Sequence, residues 1–247
     1  MLFDKKGNNP VVAVGYLFKG MKLLASAELR QYILIPVLIN VVLYGIALTL
    51  GYYYVTDLID HFIPGWLQWL SWILWPLFFI SFFIAGFFTF TVLANLLAAP
   101  FYGKLSAKTL AIITGQTSAS AEQPLPKVMF AELKRAGYLA SRALPLLVLS
   151  IIPGINVIAP FLWALFGAWG MALEYMAYPL ENAGVLFTEQ KQLVKSVRLG
   201  ALSFGGVAVM GLIIPVVNII VAPAAVIGAT IYFNEIKKAQ DAVVLPD

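Results

Sequence analysis

The 247-residue sequence has no cysteine and only one histidine, His61. The first absence removes thiolate metal sites, iron-sulfur clusters and disulfides, and leaves the redox compartment open. The second rules out a His-Glu-x-x-His helix. The chain also lacks a phosphate-cradling Gly-x-x-x-x-Gly-Lys loop and a Gly-x-Ser-x-Gly nucleophile turn. An enzyme is therefore not expected, and nothing calls for a metal or an organic cofactor. Charge is scarce too, at 11% Asp, Glu, Lys and Arg. Apolar residues take its place, at 61% with a mean hydropathy of +0.88. Such a composition excludes an ordinary soluble domain and implies an integral membrane protein. The opening residues are polar and the first long apolar run begins after Arg30, so no cleaved leader is expected.

Four runs are free of charged residues: 31–56, 62–103, 143–173 and 199–234. A spanning helix needs about 20 apolar residues. The first run is one span, ending at the acidic loop of Asp57, Asp60 and His61. The second begins after Pro64-Gly65, and Trp66, Trp69, Trp72 and Trp75 place amphipathic rings near one interface. Its length predicts a helix that tilts or extends past the bilayer on its basic side.

The last two runs share a motif, IPGINVIAP at 152–160 and IPVVNIIVAP at 214–223. Each is too short for two full spans and a turn, upwards of about 40 residues. As one span, each would carry a proline in mid-helix, which deletes a backbone donor and clashes with the preceding turn. The alternative is two half-length helices that turn at Pro-Gly-Ile-Asn and Pro-Val-Val-Asn and leave by the side they came from. Irregular backbone at that depth must be buried in protein or line a wet cavity. All 16 Lys and Arg lie outside the 57–66 loop. With two re-entrant hairpins they share one membrane face, as the positive-inside tendency favours. In a four-span arrangement Lys191, Lys195 and Arg198 join the acidic loop.

Two flanking stretches read as surface helices. Val14, Leu17, Phe18 and Met21 form an apolar stripe opposite Lys19 and Lys22. After the connector GQTSASAEQPLP, read as mobile, residues 127–141 are amphipathic, with Lys134, Arg135 and Arg142 available to lipid headgroups. The expected fold is an all-α integral membrane protein. It has two long transmembrane helices, two re-entrant, hemi-penetrating hairpins and interfacial amphipathic helices. In this reading 1–247 is a single membrane domain: interfacial helix 8–25, spans 27–56 and 66–103, basic segment 104–142, hairpins 143–173 and 199–234.

The apolar runs hold no ionisable residue, the nearest being Glu174, so a proton or sodium relay has little support. They do hold Asn40, Asn95, Asn156 and Asn218. Neutral amides can line a hydrophilic path for a multivalent anion that must later leave, or can serve as hydrogen-bonded glue between helices. A second candidate lies in LLASAELRQYILIP, 23–36. Ser26 is placed to cap a new helix, and Arg30 in its first turns makes an oxyanion site with the helix N-terminus. Glu28 opposes an anion there, and Arg30 can equally snorkel to lipid phosphates. Glu174 and Glu181 can pair with Arg198 or Lys195 as a gate, or remain solvated acids.

The ordered series ELRQYILIPVLIN, WLQWLSWILWPL, NLLAAPFYGKL, IPGINVIAPFLW, YPLEN and IPVVNIIVAPAAVIGA resembles the CysZ family of bacterial sulfate permeases over nearly the whole chain. The resemblance implies a multi-pass inner-membrane protein, assembled as a homo-oligomer, that admits sulfate for assimilation toward cysteine; sulfite or a related oxyanion is a further substrate. It implies sulfate binding at the start of the first span by a Gly-hydrophobic-Arg motif, often with a second Arg. The matching residues here are Glu28, Leu29, Arg30 and Gln31. Arg30 is retained, Leu29 serves as a backbone donor, and the Gly and second Arg are replaced. The partners expected are thus sulfate, the lipid bilayer and further copies of the chain. A pI of about 9.2 reflects one basic membrane face and requires no nucleic acid. A non-transporting membrane scaffold and a proton-coupled carrier of another small oxyanion are the alternatives.

Overall fold

The computed structural model describes residues 5–115, 125–214 and 217–244. Pro215 and residues 116–124 of the connector lie outside the described residues, as do the side chains of Asn40 and Asn95. Among the described residues there are helices and no strands. The helices are α1 (Pro10–Leu24), α2 (Ala27–Phe62), α3 (Ser71–Thr114), α4 (Leu125–Ile151), α5 (Ala159–Asn182), α6 (Phe187–Ser196), α7 (Arg198–Ile213) and α8 (Val217–Val244). Short 3-10 turns occupy Lys5–Asn8, Gly65–Leu70 and Ile155–Val157. Three stretches, Ala27–Asp57, Gly65–Ile84 and Val217–Lys238, are long and apolar enough to cross a membrane. There is a fourth if α6 and α7, bent by 103° at Val197, count as one.

The chain divides into two compact units, one being Tyr32–Phe101 and the other the segments on either side of it. In the first, aromatic side chains join α2 to α3. Tyr52 stacks on Trp75 at 5.2 Å, Tyr44 meets Phe82 at 5.4 Å, and Gly51 leaves room for Phe78. Leu34, Leu38, Leu50, Tyr54 and Trp72 remain exposed, the last at 86%. Helices with so much apolar surface uncovered are matched to lipid rather than water. α3 does not stop at Lys104. Its 44 residues reach about 66 Å, well beyond the roughly 30 Å hydrocarbon thickness.

In the second unit the start of the chain docks on its end. Asn9 caps α1 by accepting from the N–H groups of Val11 and Val12, with Pro10 at the first helical position. The buried line of α1 is Ala13, Leu17, Gly20 and Leu24. A Cβ on Gly20 would overlap the Ala224 carbonyl and come within 2.6 Å of the Gly228 nitrogen, while one on Gly228 would lie 2.8 Å from the Tyr16 carbonyl. α1 and α8 therefore touch backbone to backbone, as helices do where small residues meet. Of the apolar stripe read from the sequence only Leu17 is buried, and Phe18 is exposed, because glycine rather than bulk makes this contact. Tyr16 stacks on Tyr232 at 5.1 Å, and the Tyr232 hydroxyl donates to the Gly7 carbonyl. The Asn8 side chain caps α7, accepting from the Leu199 N–H at 2.7 Å and the Gly200 N–H at 3.4 Å. Gly205 gives α7 a comparably close seat on Ala168 and Ala172 of α5.

Both repeated motifs interrupt the helix. Between α4 and α5 the chain turns through Pro153 and Gly154, whose φ of +84° is the left-handed conformation that glycine adopts without strain. Pro145, Pro179 and Pro223, without such a glycine beside them, sit inside α4, α5 and α8. Trp163 Nε1 donates to Ser150 Oγ at 3.0 Å across the first hairpin. α7 ends at Ile213 and α8 begins at Val217, with Gly211 packed against Val221. α7 has 16 residues, about 24 Å, less than a bilayer core.

Candidate functional site

The chain turns at Ala25 and Ser26, and α2 starts at Ala27. Its first turn closes on the Ser26 carbonyl, which accepts from Leu29 N–H at 3.2 Å and Arg30 N–H at 3.1 Å. The Ser26 hydroxyl is buried and has no hydrogen-bond partner among the described residues, so the side-chain cap expected from sequence does not form. Leu29 is wholly buried and anchors this turn, whereas Glu28 and Arg30 are exposed. The Glu28 carboxylate lies 3.4 Å from Lys108 Nζ. Arg30 thus projects outward beside a helix start whose acidic residue already has a cation.

A second cluster surrounds Arg135 on α4. Its side chain is only 8% exposed. Nη1 lies 3.1 Å from Glu132 and 3.8 Å from Glu174, while Nη2 donates to Glu181 at 2.9 Å and to the Gln190 amide oxygen at 2.9 Å. Gln190 in turn donates to Glu181 and to the Val185 carbonyl, fixing α6 against the end of α5. Arg135 Nε is buried without a partner among the described residues. Three carboxylates share one guanidinium, and their side chains are 32–47% exposed. Burial raises the Glu132 carboxyl above its ordinary range; Arg135 opposes this, and Glu181 and Glu174 reinforce it. A direct ion pair does not reverse the shift because the cation is divided among three acids.

The sequence reading left Arg135 to lipid headgroups and offered Arg198 or Lys195 to Glu174 and Glu181. Arg135 is instead buried among the acids, and Arg198 and Lys195 are exposed without ion pairs among the described residues. The signal available was periodicity: Ala131 and Arg135, four apart, lie on the buried face of α4.

Asn156 lies in the exposed 3-10 turn after Gly154, and Asn218 is exposed in the first turn of α8. Neither side-chain amide has a hydrogen-bond partner among the described residues, so neither glues those residues' helices together. Asn40 and Asn95 occupy α2 and α3, their side chains outside the described residues. Among the described residues there is no group of three His, Cys, Asp or Glu that could hold a metal.

Long apolar helices with lipid-matched surfaces, and helices without strands among the described residues, define an all-helical membrane protein. The chain belongs to the family described as Sulfate transporter CysZ/Etoposide-induced protein 2.4, which matches residues 16–223. Among its relatives is a protein named Sulfate transporter CysZ from Pseudomonas syringae pv. tomato, 42% identical over 88% of this chain and 90% of the relative. Proteins of the same name from Pseudomonas aeruginosa strain LESB58 and Pectobacterium atrosepticum are 38% and 36% identical. Each alignment covers 88% of this chain, with 92% and 82% of the respective relative. These relatives are named as transporters, not enzymes.

Proposed function

We propose that the chain carries sulfate across the bacterial inner membrane and so feeds sulfate assimilation and cysteine biosynthesis. The observation that carries this reading is its similarity, along 88% of its length, to proteins named as sulfate transporters. In this reading 1–247 is one multi-pass membrane domain in which α2 and α3 span the bilayer. Residues 143–173 of α4 and α5, and residues 199–234 of α7 and α8, are re-entrant hairpins, and copies of the chain assemble into a homo-oligomer. Arg30 and the start of α2 collect the anion; the Leu29 N–H, expected as a backbone donor to it, is directed to the Ser26 carbonyl in this structure, so Leu29 acts by setting the turn. Glu28 is held by Lys108, which lessens its repulsion of a dianion.

The hairpin amides Asn156 and Asn218 line the path, a role supported by their exposure and by their having no partner among the described residues, and Asn40 and Asn95 retain the same proposed role. Gating by Glu174 and Glu181 passes from Arg198 to Arg135. With three carboxylates for one guanidinium, the cluster repels sulfate until it opens or takes up protons.

Radiolabelled sulfate flux into liposomes carrying the purified protein tests this. Arg30→Ala is expected to lower flux about tenfold, the worth of a hydrogen bond to a charged group. Asn156→Leu with Asn218→Leu is expected to abolish it. Folded protein giving no flux above empty liposomes overturns sulfate permeation. Full flux in the double variant removes the hairpin tips from the path.

A further inference from the structure

Tyr138, on α4, is held at both ends. Its hydroxyl accepts from Trp169 Nε1 at 3.0 Å, and its ring meets Phe187 edge to face at 5.6 Å. Two cations from different helices converge on that ring. Arg142 lies 3.7 Å from its centroid, with Nη1 donating to the Tyr138 carbonyl and Ser141 Oγ. Lys191 of α6 places its ammonium 5.1 Å from the same centroid and 6.0 Å from that of Phe187. The aromatic faces attract each cation but neutralise neither. Neither has a carboxylate partner among the described residues, because Glu132, Glu174 and Glu181 turn to Arg135. Like charges gathered on one ring call for an anion.

What α4 does next identifies that anion. Directly after Arg142 it exposes Leu144, Leu147, Val148 and Ile151. Paired cations and aromatic rings at the head of an exposed apolar strip have the profile of the boundary between headgroups and acyl chains. A small inorganic anion would use only the cations. An anionic phospholipid uses both, with its phosphate between Arg142 and Lys191 and its chains along Leu144 and Val148. We propose that Arg142, Tyr138 and Lys191 form a binding site for the headgroup phosphate of an anionic phospholipid. The site requires no assumption about transport, and its test involves no flux.

The full-length protein, purified in detergent, is incubated with phosphatidylglycerol and phosphatidylcholine and examined by native mass spectrometry. Phosphatidylglycerol is expected to be retained over phosphatidylcholine. Arg142→Gln with Lys191→Gln lowers its affinity by about fivefold for each cation removed, the usual worth of a basic residue at an anionic surface. Lys237→Gln with Lys238→Gln, an equal loss of charge at exposed positions of α8, leaves retention unchanged, and the charge-conserving Arg142→Lys keeps most of it. Lys191→Gln alone, on an α6 residue without an ion pair among the described residues, gives the same direction should the double variant fold poorly.

Equal retention in the site and control variants, or no preference between the lipids, overturns the proposal. So does displacement of phosphatidylglycerol by inorganic phosphate beyond that caused by sodium chloride of equal ionic strength, since the site would then be a general oxyanion site.

Discussion

Burial and the Arg135 charge pull Glu132 in opposite directions, and burial, reinforced by Glu181 and Glu174, prevails. The folded chain therefore keeps this carboxyl protonated to a higher pH than the unfolded chain does. Its contribution to stability is present on the acid side and falls as pH climbs from the ordinary carboxylate range through the raised value. In Glu132→Gln that downward step is expected to disappear from thermal unfolding measured in detergent across a pH series. A step of unchanged size in the variant would assign the titration to another member of the cluster. Two acids of this cluster, Glu174 and Glu181, were visible in the sequence, but Glu132 and the cation were not. Glu174, Glu181, Arg135 and Arg198 look alike as charges near apolar runs, and only the packing of α4 against α5 and α6 decides which arginine is enclosed. The exposure of Arg30, by contrast, needs no distant partner and follows from the turn that starts α2.

Among the elements, the helix breaks were the most legible feature. Pro153 with Gly154 removes a donor and supplies a residue free to adopt φ +84°, both local properties. The face by which α1 docks was not, because hydrophobic periodicity weights large side chains, whereas here Gly20 lets two backbones touch. Comparing Gly20→Ala with Gly15→Ala tests this contact. A Cβ at position 15 meets nothing within 4 Å, so the second change is expected to stabilise by about 0.5–1 kcal/mol through helix propensity. The first, which forces α1 off α8, is expected to destabilise by about 1–3 kcal/mol. Thermal unfolding midpoints of the two variants check the opposite signs. Equal stabilisation by both would mean that α1 does not rest on α8 through Gly20.

At the scale of the whole molecule, the absence of cysteine makes every introduced thiol unique. Asp57→Cys, Lys104→Cys and Lys195→Cys variants treated with a membrane-impermeant maleimide test the re-entrant arrangement. Positions 104 and 195 are expected to react from one side and position 57 from the other; position 195 reacting with position 57 would establish single spans instead. The docking of the first helix on the last also has a consequence in time. Gly7 and Tyr232, which share a hydrogen bond, are 225 residues apart. At about 5–20 residues per second of synthesis, the second follows the first by roughly 10–45 s. For most of that interval, until α7 and then α8 are made, the nascent α1 lacks the helices that cover Leu17 and Gly20. The bilayer surface, or whichever helper attends the ribosome, must shelter this face until α8 has been made.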